Sequence, residues 1–477
     1  MRLRKQIRFL FFLNGGWEGG GWGGGGGFIL PPLRSMLRPS LLLLAILALA
    51  LMRRSAAEED SCRVLSEQGT EMELVQVLVV HRHGDRTPIA THAGVFKQTS
   101  DLEAIWRSRV PPRQEIEAWG RTNVDPTATH LAQTASEKYS FPNGHLTALG
   151  ASQLRRVGAE LRERYIGDFG FLPSALPSAT AGVESLVYVR STRIPRTVQS
   201  VQNLLLGLWP PDHRAAGGEI QIQSQEKASD FMTGMNEKRC PRIKQLVAEV
   251  DSDLDLPANY SALLGRLDHE VGQSSGAANQ GLAGSKSSLI DRWIHMGDIG
   301  TCHLAHRLTP PLNLSAGDVR ALQRYNSWSW GRRLTRSPTL NSLAIGGFIA
   351  DLLHVLEATV TGAAVPGVAA PKIAVFSGHD STLLPLLTAL GAFDGEWPPY
   401  ASRIQIELLR PATAAAEAVA GGGGGGWMVR LVYNGRDASL LGHAPGKLVE
   451  YSEFSRKMRE FVPKDVGAAC MLKRGPE

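Results

Sequence analysis

Two short polar segments of the sequence bring together side chains that can act on a phosphate group. In the first, His83 lies between Arg82 and Arg86, and the second is the pair His379 and Asp380. Guanidinium groups bind phosphate oxygens in a bidentate manner. Nearby positive charge lowers the pKa of a histidine, so its neutral ring can act as a nucleophile. The pattern predicts phosphoryl transfer, with a phosphohistidine on His83 and Asp380 as the proton donor to the leaving alkoxide.

A third arginine, Arg190, follows another β-rich run and is predicted to complete the phosphate ligands. Two further arginines of the same segment, Arg193 and Arg196, are interpreted as surface or helix-start charges. Asp380 can hold its proton if a bound phosphate dianion raises its pKa. A donor of this kind works best at acidic pH, so we expect acid phosphatase chemistry.

The same histidines permit a second interpretation, a hydrolytic metal centre. His81 and His83 are two residues apart, so a continuing strand would place both on one face. Further ligands could come from histidines and carboxylates elsewhere in the chain: Asp85, His145, His379 and Asp380. However, two permanent cations would adjoin the metal, and no recognised ligand spacing is present. We therefore expect no metal and no other cofactor, and interpret His81 as a structural residue that ends its strand.

Three segments of the chain combine a β-rich run, a polar loop and a helical pattern. The runs cover residues 77–80, 186–189 and 373–376, and the loops after them hold the residues named above. The carboxyl ends of parallel strands lie at one edge of a sheet, so the loops are expected to converge. The pattern predicts a layered α/β core with a central, mainly parallel sheet. Alternation within 404–408 and 427–433 predicts two further, paired strands.

The segment 212–340 does not show this strand-loop-helix pattern and is predicted to be an inserted, mostly helical cap. The α/β catalytic core is then expected to comprise 58–211 and 341–477. Within the cap, Trp328 and Trp330 could line an acyl-chain pocket, but aromatic residues at this spacing are more often packing residues.

Residues 1–57 have the composition of a leader. Their net charge is +7, which leaves about −1 for the other 420 residues, so we expect no nucleic-acid binding. The apolar segment 41–52 is followed by small residues and predicts a secretory signal, since it is short for a membrane span. An uncleaved membrane anchor and an arginine-rich organelle presequence are the alternatives.

The four cysteines are Cys62, Cys240, Cys302 and Cys470. They show no Cys-x-x-Cys spacing, which argues against a structural zinc site. Two disulfides could form in an oxidising compartment, with a pairing that the sequence does not determine. Glycosylation sequons at Asn259 and Asn313 favour the secretory route.

Three motifs together resemble the histidine acid phosphatases: "RHGDRTP" at 82–88, "VRSTRIPRT" at 189–197 and "HD" at 379–380. The resemblance covers about residues 74–450 and implies a phosphoglycerate-mutase-like fold. It implies His83 as the phosphorylated nucleophile and Asp380 as the proton donor. The implied phosphate ligands are Arg82, Arg86, Arg190 and His379.

Within that family, the segments at 169–177 and 390–408 are most similar to the lysophosphatidic acid phosphatases. This similarity implies a lysophospholipid or another small phosphomonoester as the substrate. It also makes a mitochondrial location the alternative to the secretory pathway. Arg193 stands where many family members carry Asp, which leaves the details of the substrate pocket open. A phytase-like inositol phosphate phosphatase and a non-enzymatic phospholipid-binding protein remain alternative functions, and the oligomeric state is not predicted.

Overall fold

A β-sheet forms the centre of the part of the chain that the computed structural model describes. The described residues are 63–65, 71–89, 98–122, 141–178, 182–226, 229–252, 257–274, 286–362, 370–412 and 426–472. The predicted leader, residues 1–57 with the apolar segment 41–52, lies outside them, as does Cys62. Within these ranges the strands are β1 (Arg63–Leu65), β2 (Glu71–Arg82), β3 (Val187–Thr192), β4 (Ile222–Gln225), β5 (Ile373–Gly378), β6 (Arg403–Pro411), β7 (Met428–Tyr433), β8 (Arg436–Asp437) and β9 (Val449–Glu450).

The sheet has the strand order β4-β3-β5-β2-β6-β7-β8, with β1 beside β2 and β9 beside β7. Strands β4, β3, β5 and β2 are parallel to one another, as their strand-loop-helix segments predict. Strands β6 and β7 form the predicted pair, and they are antiparallel to each other, as β6 is to β2. The α/β fold class is confirmed, but the sheet is mixed, where we expected a mainly parallel one. The difference arises because β6 and the strands beyond it on that side of β2 pair antiparallel.

Helices pack on both faces of the sheet. In chain order they are α1 (Ser100–Arg109), α2 (Arg113–Thr122), α3 (Ala148–Arg162), α4 (Val183–Leu186), α5 (Pro195–Leu208), α6 (Pro241–Ser252), α7 (Ala258–Ser274), α8 (Lys286–Ala305), α9 (Ala316–Arg336), α10 (Pro338–Thr361), α11 (Asp380–Ala389), α12 (Tyr451–Arg459) and α13 (Val466–Ala469). The alternation of side chains along β2 produces this layering. Val77 and Val79 pack in one cluster with α3 and α5, and Leu78 and Val80 pack in another with α10, α11 and α12.

Helix α10 is a long, apolar helix that follows the predicted cap. Its length and composition would allow it to cross a membrane. Most of its residues are buried, and Phe348, Leu352 and Leu356 belong to the core cluster on the sheet. We therefore interpret it as a core helix.

The range 212–340, predicted to be the cap, contains helices α6 to α9. Strand β4 also falls in this range and pairs with β3. The sheet therefore extends into the predicted cap, and the long helices of the cap begin only at Pro241. Trp328 packs beside Tyr260 and Tyr325, in a hydrophobic cluster made of cap residues.

A disulfide joins Cys240, directly before α6, to Cys470, directly after α13. It connects the start of the helical range to the C-terminal part of the core. Cys302 is a free, buried thiol. One of the two disulfides that the four cysteines could form is thus present among the described residues.

Candidate active site

The loops after β2 and β5 and the start of α5 after β3 meet at one cavity, as their positions at the carboxyl ends of parallel strands predict. The cavity has a volume of about 290 Å³. The residues that line it are His83, Arg86, Ile89, Ile194, Arg196, Thr233, Asn236, His379, Asp380 and Ser381. Four of the six predicted site residues, His83, Arg86, His379 and Asp380, are in this lining.

His83 is buried and is fixed at both its backbone and its ring. Its backbone N–H donates to the carbonyl of Gly378 at the end of β5, at 3.0 Å. Its Nδ1 lies 2.8 Å from the carbonyl oxygen of Gly84, which can only accept, so Nδ1 carries the proton. The lone pair of the neutral ring is therefore on Nε2. Burial lowers the pKa of His83 well below its usual 6.5, and the charges of Arg196 and Arg82 lower it further. His83 is thus a neutral imidazole with Nε2 as its nucleophilic atom.

The glycine after His83 permits a close approach to helix α3. A side chain at Gly84 would collide with the backbone of Gly150 in the first turn of that helix. The next residue, Asp85, is fully buried and accepts hydrogen bonds from Thr147 Oγ1 at 2.5 Å and from His306 Nε2 at 2.7 Å. Asp85 therefore connects the His83 loop to helix α3 and to the residue after α8, and it is outside the cavity lining.

Arg82 and Asp380 form an ion pair across the ends of β2 and β5. Arg82 Nη2 lies 2.6 Å from Asp380 Oδ2. The other terminal nitrogen of Arg82 donates to the carbonyl of Pro398, also at 2.6 Å. The guanidinium group lies over the ring of Tyr400, 4.3 Å from its centroid. Arg82 is thus fixed beside the predicted proton donor.

The carboxylate of Asp380 is held by three donors. Besides Arg82, the backbone N–H of Ser381 donates to Oδ1 at 2.8 Å and the indole N–H of Trp397 donates to Oδ2 at 3.3 Å. Burial raises the pKa of Asp380, but the charges of Arg82 and Arg86 outweigh it, and the net shift is downward. Asp380 is therefore ionised in the substrate-free enzyme and needs a change in its surroundings before it can donate a proton.

Arg86 has a carboxylate partner from the cap. Its Nη2 donates to Asp298 Oδ1 of helix α8 at 2.9 Å. Arg86 also lies 3.8 Å from Cys302 Sγ of the same helix. The cap therefore contributes directly to the surroundings of a predicted phosphate ligand.

His379 lies at the start of helix α11, where it is the N-cap residue. Its Nε2 is 2.9 Å from Thr192 Oγ1 at the end of β3. Burial lowers its pKa well below 6.5, with Arg196 as the next cause. The N-termini of α5 and α11 both adjoin the cavity, and helix N-termini favour bound anions.

The structure does not place Arg190 at the cavity, contrary to our expectation. Arg190 is the fourth residue of β3, and the strand continues to Thr192. Its guanidinium group is buried and pairs with Asp351 at 2.6 Å and with Asp230 at 3.0 Å. Because the strand extends beyond the predicted 186–189, Arg190 lies within the sheet and not in the loop after it.

Arg196 occupies the place that we had assigned to Arg190. It is the second residue of α5, is buried and lines the cavity. Its charge is the largest electrostatic influence on the pKa of both His83 and His379. The interpretation of Arg196 as a helix-start charge missed this role. The available signal was its position at the start of a helix that follows a strand.

His81 is separate from the cavity. It is a fully buried residue of β2, paired with Ser377 and Arg403 of the neighbouring strands. Its Nδ1 donates to the carbonyl of Arg82, and burial lowers its pKa to about 4. His81 is the structural residue that we expected. Within the described ranges, no group of three or more His, Cys, Asp or Glu side chains could hold a metal ion.

Residues 73–434 match the family described as the histidine phosphatase superfamily (branch 2). The chain belongs to this superfamily. Its similarity to individual proteins is spread over most of their length. It is 27% identical to Counting factor 60 of Dictyostelium discoideum, over 72% of this chain and 78% of that protein. It is 26% identical to the human lysophosphatidic acid phosphatase type 6, over 84% of this chain and 86% of that one.

Solved structures of the same superfamily share the fold. A Hafnia alvei phytase in complex with tartrate superposes with a TM-score of 0.54, covering 84% of this chain and 99% of the phytase. The sequence identity is 16%, so the likeness concerns the fold and not the substrate. The superfamily places the chain among the histidine acid phosphatases, as the three sequence motifs predict.

Replacing Arg196 by alanine should lower kcat/KM for a phosphate monoester about 100-fold, because a buried charged donor to the phosphate is lost. It should also raise the pKa of His83 and move the acidic limb of the pH profile to higher pH. Steady-state kinetics across pH measure both effects. Arg193→Ala is the matched control, since Arg193 pairs with Glu226 and is absent from the cavity lining. A comparable loss in both variants would contradict the assignment.

Proposed function

We propose that the protein hydrolyses phosphate monoesters in two steps through a phosphohistidine on His83. The observation that carries this proposal is the neutral ring of His83, with Nδ1 bound to a carbonyl and Nε2 left as the nucleophile. Arg82 and Arg86 flank it in sequence, and Arg196 and Asp380 line the same cavity.

Substrate binding begins with an exchange of ion-pair partners. The phosphate group binds Arg82, Arg86 and Arg196, with His379 as a further donor. Arg82 then shares its charge between Asp380 and the phosphate dianion. The loss of positive charge and the arrival of negative charge both raise the pKa of Asp380. The substrate thereby converts Asp380 from the ionised form to the protonated form that a general acid requires.

The chemical steps follow from this arrangement. Nε2 of His83 attacks phosphorus, the bond from phosphorus to the ester oxygen breaks, and the leaving oxygen takes the proton of Asp380. A water molecule then attacks phosphorus, the bond from phosphorus to Nε2 of His83 breaks, and the water gives one proton to the Asp380 carboxylate. Inorganic phosphate leaves, and His83 is neutral again. No metal or other cofactor enters either step.

The cavity lining supports a substrate with one phosphate group. Besides the residues already discussed, it contains two apolar side chains and three uncharged polar ones: Ile89, Ile194, Thr233, Asn236 and Ser381. Among the described lining residues there is no lysine to meet additional phosphates. Apolar lining suits an ester with an apolar part, and the lysophosphatidic acid phosphatases among the relatives agree with it. We therefore prefer a small phosphomonoester, including lysophosphatidate, to a phytate-like ring.

The disulfide between Cys240 and Cys470 favours an oxidising compartment. Together with the predicted signal segment 41–52, it supports our proposal of the secretory pathway, as a secreted, lysosomal or membrane-anchored enzyme. The mitochondrial location stays the alternative.

Replacing His83 by alanine should abolish turnover, because the nucleophile is lost, while the fold persists. Rapid quenching of the native enzyme with labelled substrate, without acid, should trap a labelled histidine that the variant does not form. Circular dichroism provides the control for folding. Substantial activity of the variant, or a native enzyme that turns over substrate without a labelled histidine, would contradict the mechanism.

The lowered pKa of His83 predicts that activity persists at acidic pH. A histidine is nucleophilic only above its pKa, so a lower pKa moves the acidic limb of kcat/KM to lower pH. For a histidine with the usual pKa of 6.5, the neutral fraction falls about sixteenfold between pH 6.5 and about pH 5. We expect kcat/KM for nitrophenyl phosphate to show no such fall over this interval. A sixteenfold decline would show that His83 titrates normally.

A substrate panel of lysophosphatidate, phytate and small phosphomonoesters, with and without EDTA, tests the specificity. We expect kcat/KM to be higher for the monoesters and lysophosphatidate than for phytate, and to be unchanged by the chelator. A preference for phytate would favour the inositol phosphate alternative. Inhibition by EDTA would favour a metal-dependent hydrolase, and binding without hydrolysis would favour a phospholipid-binding protein.

A further inference from the structure

The segment from Trp397 to Tyr400 contacts both members of the ion pair between Arg82 and Asp380. The indole N–H of Trp397 donates to Asp380 Oδ2 at 3.3 Å. The carbonyl of the next residue, Pro398, accepts from Arg82 at 2.6 Å. The ring of Tyr400 lies under the same guanidinium group. One short segment of the core thus controls the geometry of the acid and of its cationic neighbour.

We propose that Trp397 is a positioning residue that keeps the Asp380 carboxyl oriented while Arg82 turns to the substrate. This inference rests on the proposed function, because it assumes that Asp380 is the general acid. In the substrate-free enzyme, Arg82 and Trp397 share Oδ2 of Asp380. When the phosphate draws Arg82 away, the indole is the remaining side-chain donor to that oxygen, and the N–H of Ser381 still fixes Oδ1.

A neutral donor suits this task better than a charged one. A guanidinium group beside the carboxylate stabilises the ionised form strongly and opposes protonation. An indole N–H carries no net charge, so it restrains the rotation of the carboxyl group at a smaller cost to proton uptake. Trp397 thus orients the carboxyl group of Asp380 throughout the reaction. Arg82 supplies the positive charge, which moves to the phosphate when the substrate binds.

A residue of the cap also contacts the indole of Trp397. The ring of Trp330, in helix α9, meets the ring of Trp397 edge to face, with centroids 5.6 Å apart and an interplanar angle of 88°. Edge-to-face pairs of this kind are favourable and geometrically specific. The sequence offered two roles for Trp330, an acyl-chain pocket and packing, and favoured packing. In the structure Trp330 packs against Trp397, and it acts on Asp380 through that residue.

Trp397→Phe tests the role, since it keeps an aromatic ring and removes the N–H donor. We expect kcat/KM for glycerol 3-phosphate, which needs protonation of its leaving oxygen, to fall about tenfold. For nitrophenyl phosphate, whose leaving group needs little protonation, kcat/KM should change less than about twofold. Loss of a donor to the carboxylate also raises the pKa of Asp380, so the alkaline limb for glycerol 3-phosphate should move to higher pH.

Trp328→Phe is the matched control, because Trp328 lies two residues from Trp330 on α9 but packs inside the cap. It should leave the ratio of the two kcat/KM values unchanged. Trp330→Ala keeps the N–H of Trp397 but removes its aromatic neighbour, and it should produce a smaller loss with the same selectivity. That variant decides the question if Trp397→Phe does not fold.

Asp380→Asn, measured in parallel, separates this inference from the proposed function. If Asp380→Asn loses activity mainly on glycerol 3-phosphate, while Trp397→Phe and Trp330→Ala affect both substrates equally or neither, the positioning role is wrong and the acid assignment stands. If Asp380→Asn itself affects both substrates equally, the acid assignment fails, and the role of Trp397 fails with it.

Discussion

The chemistry of this site depends on three guanidinium groups held close together at the carboxyl edge of the sheet. Arg82 pairs with Asp380 and Arg86 pairs with Asp298, and the charge of Arg196 acts on the same histidines. Like charges repel more strongly in a buried site than in water. The positive charge of the three arginines disfavours a proton on the rings of His83 and His379, and it favours a bound anion. One electrostatic arrangement therefore accounts for the neutral nucleophile and for the affinity for phosphate.

Residues of the cap contact the catalytic loops directly, so the cap is part of the active site. Helix α8 supplies Asp298 to Arg86, and His306 directly after it reaches Asp85 in the loop that carries His83. Helix α9 supplies Trp330 to the indole beside Asp380. Each of these contacts joins a cap residue to a residue of the catalytic loops or to its immediate neighbour. The position of the nucleophile and of the acid is thus set jointly by the sheet and by the inserted helices.

The sequence predicted the parts of the site that local patterns encode. The β-rich runs located His83 and Asp380 because a buried strand and then a polar loop follow one another directly in each segment. We predicted Arg190 at the cavity, but the structure places Arg196 there. The prediction depended on where β3 ends, and the apolar pattern alone determines strand ends poorly. Asp298 is far from the motifs in sequence, and Trp397 and Tyr400 lie outside them. Their contacts arise from tertiary packing, which no spacing rule reveals.

The ion pair between Arg82 and Asp380 explains how one site can bind an anion and also hold a protonated acid. A permanently protonated carboxyl group would need a site without nearby cations, and such a site would bind phosphate poorly. In the proposed mechanism, Arg82, the cation that binds the phosphate, is also the one that keeps Asp380 ionised in the substrate-free structure. Transfer of that cation to the substrate raises the pKa of the acid only when a substrate is present. The protonation state of the donor is therefore coupled to phosphate binding, and the carboxylate compensates the buried arginine whenever the site is empty.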